Sequence, residues 1–125
     1  MEPTPQDAVA VIHDYYSAIN QAGFAHAWGL WSDHGRASGQ TPQQFADGYA
    51  DTAHVNVQTQ APTHLDAAAG SRYIEIPVTI TASRRDGSEH RYSGTYTLRR
   101  STVDGSTADQ RAWRIATANL HEVLP

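Results

Sequence analysis

The 125 residues are enough for one domain with a buried core. Nine arginines with no lysine and no cysteine exclude disulfides, thiol catalysis, cysteine–zinc sites and lysine Schiff-base chemistry. A net charge of −4 without a basic stripe argues against a nucleic-acid partner, and no apolar run approaches the ~20 residues of a membrane span, so membrane insertion by this chain is not expected.

Leu, Ile, Val and Phe total only twenty, but the low net charge and eleven aromatics point to a compact core that leans on Trp and Tyr. Arginine in place of lysine suits a GC-rich genome. The start, "MEPTPQDA", has neither the basic residues nor the apolar run of a signal peptide. Residues 1–6 are expected to be a linker or disordered end, and 7–123 a single domain cut from a longer precursor.

"PQDAVAVIHDYYSAINQAG" predicts the first helix, with Ala8, Ile12, Tyr15, Tyr16 and Ile19 on one face and Gly23 as its stop. "FAHAWGLWSDHG" predicts a second, running to Gly35. Its apolar face is Phe24, Ala27, Trp28 and Trp31; His26 and Asp33 lie opposite and His34 at the border. "TPQQFADGYADT" predicts a third, with Thr41 as N-cap, Pro42 at the first position and Gln44 three after the cap. Phe45 and Tyr49 are its inward pair.

The period then switches to two. "HVNVQTQ" predicts a strand, "APTHLDAAAGS" a loop, and "RYIEIPVTITASR" a strand with Ile74, Ile76, Val78 and Ile80 on one face. Pro77 in that pattern predicts an edge or a bulge. Asp86-Gly87 is a hairpin turn into "EHRYSGTYTLRRS". "TVDGSTADQ" is a polar loop, and "RAWRIATANLHEV" the last strand. Tyr92, Tyr96, Trp113 and Ile115 are assigned inward, with Thr117 and Asn119 continuing the Trp113 face; Glu75 falls outside. A single bulge would reverse such an assignment. Helices followed by hairpin-linked strands make an α+β fold, three N-terminal helices packed on a strongly curved antiparallel sheet of four to six strands.

Chemical motifs are sparse. The seven histidines are scattered, with no i, i+4 pair and no His-x-His, so no metal is expected. No G-x-S-x-G, G-x-G-x-x-G or phosphate loop occurs, and no cofactor is expected. The doublets Arg84–Arg85 and Arg99–Arg100 have two readings, charges that protect a sheet edge or a surface for an anionic partner.

The helix pair "VIHDYYSAINQAGFAHAWGLW", the strand pattern "RYSGTYTLRR" and "AWRIATANL" together resemble the nuclear transport factor 2-like superfamily over about residues 6–122. That resemblance implies a cone with an internal pocket. The positions Tyr15, Tyr16, Ala18–Asn20, Gly23, Phe24, Ala27, Trp28 and Leu30, then Thr41, Phe45, Gly48, Tyr49 and Thr52, are similar to extracytoplasmic domains of actinobacterial lipoproteins and of membrane-anchored serine/threonine kinases. This implies a sensory or accessory domain at the cell envelope that binds a small, partly apolar ligand without catalysis.

The expected pocket wall is Tyr15, Trp28, Trp31, Tyr49, Tyr96 and Asn119; for Trp28 and Trp31 a core role is the first reading and contact with a ligand the second. The Thr-rich outer sheet face, with Thr79, Thr81, Thr95 and Thr97, is a candidate homodimer surface. A protein-interaction module without ligand is a further alternative. The superfamily also includes steroid isomerases, polyketide cyclases and dehydratases. By that resemblance Tyr15 would donate to an oxyanion and His34 is the other candidate catalytic group. The base would fall near Ser38 and Gly39, where no carboxylate stands.

Overall fold

The computed structural model describes residues 2–123. Helix α1 spans Pro5–Asn20 and takes up the last two residues of the expected linker. Thr4 caps it: its hydroxyl accepts from the Asp7 amide, and the Asp7 carboxylate accepts from the Thr4 amide. One face of α1 buries Ala8, Ile12, Tyr15, Tyr16 and Ile19, as the spacing predicts.

Helix α2 is shorter than predicted. It spans Phe24–Gly29 and ends with Leu30 as its cap. Trp31 leaves the helix and forms a parallel bridge with Ile115, clamped by Ile115 N–H donating to Leu30 O at 2.8 Å and Ser32 N–H to Ile115 O at 2.7 Å. Asp33 and His34 then take left-handed backbone conformations, φ 57° and 54°, so neither lies on a helix face. A short 3₁₀ turn, Arg36–Ser38, leads to α3 at Pro42–Asp47. There the predicted Thr41/Gln44 capping box is formed, with bonds of 3.1 and 3.0 Å.

Five strands follow: β1 at Thr52–Thr59, β2 at Thr63–Ala68, β3 at Ser71–Arg84, β4 at Glu89–Ser101 and β5 at Arg114–Val123. They form one antiparallel sheet, ordered β1-β3-β4-β5, with β2 also on β3. Strand β2 replaces the predicted loop "APTHLDAAAGS". All its residues are exposed, so it carries no burial pattern for a periodicity argument to find. Its bulge falls between Thr63 and Asp66, where His64 has φ 50°.

Pro77 is explained by the same geometry. Strand β3 pairs with β1 from Val78 onward and with β2 up to Glu75, so the proline sits where the neighbour changes. Its missing N–H falls at that change of partner. A four-residue helix, α4 at Ala108–Arg111, interrupts the predicted polar loop before β5 and carries a third capping box, Thr107 with Gln110.

The core lies between α1 and the concave sheet face. Ile12, Ile74, Ile76, Val78, Leu98 and Ile115 are almost wholly buried. Helices packed on a curved five-stranded antiparallel sheet make the α+β, cone-like fold that the sequence predicts. Curvature has two identifiable sources on the β4–β5 pair. Gly94 allows close approach: a Cβ there would lie 2.0 Å from Asn119 O. On β5 an extra residue, Ala116, interrupts the register, since Thr97 pairs with Thr117 but Leu98 with Ile115.

Candidate functional site

Between α1, the α3 region and the concave face lies a cavity of about 480 Å³. Helix α1 contributes Tyr15 and Tyr16, the α3 region Phe45 and Tyr49, and strand β4 Tyr92 and Tyr96. Trp31 joins them because its backbone is pinned to β5. Tyr92 and Tyr96 are four apart on a strand and share a face; Tyr15 and Tyr16 lie on the buried face of α1.

The rings meet edge-on. Tyr15 has its centroid 5.0 Å from Tyr16, 6.2 Å from Tyr96 and 6.4 Å from Trp31, at interplanar angles of 79°, 67° and 75°. Such contacts are favoured by the aromatic quadrupole. Phe24 stacks on Tyr49 from behind at 5.9 Å.

The hydroxyls are linked. Those of Tyr16 and Tyr96 are 2.5 Å apart, and the Trp31 indole N–H donates to the Tyr15 hydroxyl at 3.3 Å. Burial pushes the Tyr15 and Tyr16 phenols well above their ordinary range, helped by neighbouring phenols. Burial also raises Tyr49 and Tyr96. These groups stay protonated through the neutral range and offer O–H donors rather than bases. Among the described residues no Asp, Glu or His lines this cavity, and the one charged lining residue is Arg84, exposed at the end of β3. Ser38 also lines the cavity, and its hydroxyl donates to Gly35 O at 2.8 Å.

Of the residues expected at the pocket, Tyr15, Trp31, Tyr49 and Tyr96 line this cavity. Trp28 does not. Gly35 packs on its indole, where a Cβ would come within 2.6 Å, and the indole N–H donates to Gln40 O at 3.0 Å. Trp28 thus pins the loop that brings Ser38 and Gln40 to the cavity wall. Asn119 is exposed on the outer face. The extra residue Ala116 flips the strand after Ile115, so that Ala118 and Leu120 line the cavity while Thr117 and Asn119 turn away.

His34 is also elsewhere. It is exposed, 4.0 Å from Asp109, at the rim of a separate polar pocket. His26 and Asp33 both lie on the surface away from the cavity, as expected, His26 against Asp14 at 2.9 Å and Asp33 against Arg36 at 3.5 Å. Arg84 and the cavity role of Tyr16 escaped the sequence argument. The signal for Tyr16 was present in its α1 spacing; for Arg84, at a strand end, there was none.

One arrangement elsewhere has the order of a hydrolytic triad. Ser88 Oγ is 3.4 Å from His90 Nε2, and His90 Nδ1 is 3.3 Å from Glu122 Oε2. The Ser88 hydroxyl, however, donates to Asp86 Oδ1 at 2.6 Å, and its N–H donates to the same oxygen at 2.9 Å. This is an Asx-type turn closing the β3–β4 hairpin, with the proton committed away from the imidazole. Among the described residues no group of three or more His, Asp or Glu side chains could hold a metal ion, and no helix is long and apolar enough to cross a membrane.

The sequence matches no protein-family model and none of the curated proteins. A crystal structure from Novosphingobium aromaticivorans, of a protein named provisionally as an aromatic ring hydroxylase, is similar to this chain with a TM-score of 0.67. The two are 11% identical over 99% of this chain and 94% of that one. At this identity the likeness shows a shared fold, helices packed on a curved antiparallel sheet, over the whole described chain.

Proposed function

We propose that this chain is a nuclear transport factor 2-like domain that binds a small, partly apolar ligand without transforming it. The observation that carries the proposal is the lining of the 480 Å³ cavity: buried rings, neutral phenol donors and a single guanidinium at one end. Pockets for small molecules are lined mainly by apolar and aromatic side chains with a few placed polar groups. A ligand with an acceptor oxygen fits the Tyr15 side, and an acidic substituent fits Arg84. A proton-abstracting enzyme would need a base at the cavity; by the resemblance it would fall near Ser38 and Gly39, where no carboxylate stands, and this supports binding over catalysis.

The aromatic ring in the neighbouring protein's name belongs to that protein. For this chain the aromatic lining supports a partly apolar ligand. The accessory, extracytoplasmic setting rests on the resemblance of the helix-pair motif to envelope domains. A homodimer through the outer face, where Thr79, Thr81, Thr95 and Thr97 are half-buried in the single chain, belongs to the same proposal.

Thermal melts with two probes test the ligand class. Both 1-naphthol and 1-naphthoate should raise Tm, since a ligand that binds only the folded state adds about 2.7 kcal/mol at one hundred times its Kd. Arg84→Gln should reduce the naphthoate shift and leave the naphthol shift. Melts unmoved by either probe would sink the proposal.

A further inference from the structure

A second pocket, of about 180 Å³, lies away from the tyrosines. Its floor is the outer face of β4 and β5. Arg99 and Arg114 are direct register partners there, and both alternate with buried residues, Leu98 and Arg100 on one strand, Trp113 and Ile115 on the other. Two guanidiniums are therefore held side by side on the outer face, an arrangement that like-charge repulsion disfavours.

Only one of them is neutralised. Arg114 Nε donates to Asp109 Oδ1 at 2.8 Å, and its Nη1 donates to Trp113 O at 2.8 Å. Arg99 has no hydrogen-bond or ion-pair partner among the described residues. Asp33, the other carboxylate at the rim, is held by Arg36 at 3.5 Å. The remaining lining side chains are Ser32, His34 and Gln110. Ser32 is fixed by its backbone bond to Ile115. Gln110 uses its Oε1 on the Thr107 amide, which leaves its amide N–H groups free to donate. The segment that closes this pocket, Asp33 and His34, has two consecutive non-glycine residues in the left-handed region. Such strain concentrates at binding and switch sites.

We propose that this pocket binds a small oxyanion of phosphate size, with the Arg99 guanidinium as its main partner and Ser32 and Gln110 as neutral donors. The anion supplies the counter-charge that Arg99 lacks and separates the two guanidiniums. Arg99–Arg100 is one of the doublets that the sequence singles out, and the two residues differ in role. Arg100 points inward, is buried, and lies 5.4 Å from the Trp113 ring centre. Of this doublet, Arg99 is the residue that faces the anion. Guanidinium recognition of phosphate or carboxylate is charge-assisted and directional.

The test is a calorimetric and NMR titration of the whole chain with inorganic phosphate, at ionic strength held constant with chloride. Saturable one-to-one binding is expected, with amide shifts centred on Ser32, Arg99 and Gln110. Arg99→Gln should weaken it at least tenfold. Gln110→Glu retains the capping acceptor but adds a negative charge to the pocket, and should weaken it by a similar factor without loss of folding. Arg91→Gln, on the same strand, and Tyr15→Phe, in the other cavity, should leave it unchanged. Sulfate should compete, and acetate should compete more weakly. The proposal is overturned if chloride reproduces the shifts, if no saturation is reached, or if Arg99→Gln and Gln110→Glu bind phosphate as the parent does.

Discussion

The hydroxyls of Tyr16 and Tyr96 meet 2.5 Å apart, eighty positions distant in the chain, and join α1 to the concave face of β4. Both side chains are almost fully buried, so each hydroxyl depends on the other. Tyr16→Phe should cost about 1–3 kcal/mol, because it leaves the Tyr96 hydroxyl without this partner. The double variant Tyr16→Phe/Tyr96→Phe should lose clearly less than the sum of the two single losses. Urea unfolding of the four proteins measures this; strict additivity would show that the pair is not a unit.

Asn20 closes the other end of α1. Its Nδ2 donates to Val55 O and its Oδ1 accepts from Val55 N–H, both at 2.7 Å, so one side chain caps the edge of β1 as a neighbouring strand would. Asn20→Ala should destabilise the fold by about 1–3 kcal/mol. Asn20→Asp should also be destabilising, since it keeps the acceptor but turns a carboxylate oxygen toward the Val55 carbonyl. Equilibrium unfolding checks both, and a neutral Asn20→Asp would contradict the assigned pairing.

Gly94 and Gly29 separate close approach from mere glycine content. A Cβ at Gly94 meets Asn119 O at 2.0 Å, whereas one at Gly29 meets nothing within 4 Å. Gly94→Ala should lower stability by about 1–3 kcal/mol or more through forced displacement of β5. Gly29→Ala, at the end of α2, should be neutral or stabilising by up to about 1 kcal/mol. Thermal melts of the two variants should move in opposite directions, or at least differ clearly.

The buried phenols set the alkaline limit. Tyr15, Tyr16, Tyr49 and Tyr96 are all raised above their ordinary value of 10.0 in the folded chain, chiefly by burial. A raised folded-state value means that the unfolded chain releases the proton first. Their contribution is therefore complete below about pH 10 and is lost as pH rises beyond it. Phenolate absorbance of the native protein should show these four phenols silent near pH 10 and ionising only on alkaline unfolding. Ionisation of these four near pH 10 in the folded state would contradict the burial of the cluster.

The inner walls of the cavity were legible because burial and spacing speak together in α1 and β4. Tyr15, Tyr96, Trp113 and Ile115 face inward as their periodicity implies. The Thr41/Gln44 box was legible from residue types alone, and the same signal, Thr107 with Gln110, marks α4 inside what reads as a polar loop. Asn119 was not legible: one extra residue on β5 changes its face, and nothing in "WRIATANL" says which residue is extra. Strand β2 escaped for a related reason, since its pairing is made by backbone groups and all its side chains are exposed. Trp31 and His34 were misread as helical because apolar spacing continues past the point where Ile115 captures the chain.

The tyrosine cavity is tested most directly by calorimetric titration of 1-naphthol into the parent chain and into Ala118→Trp, which places an indole at the open end of the cavity. One saturable site per chain is predicted for the parent, and its loss in Ala118→Trp while the Tm of that variant is preserved. Equal binding by both proteins, or no saturable heat with the parent, would contradict the account.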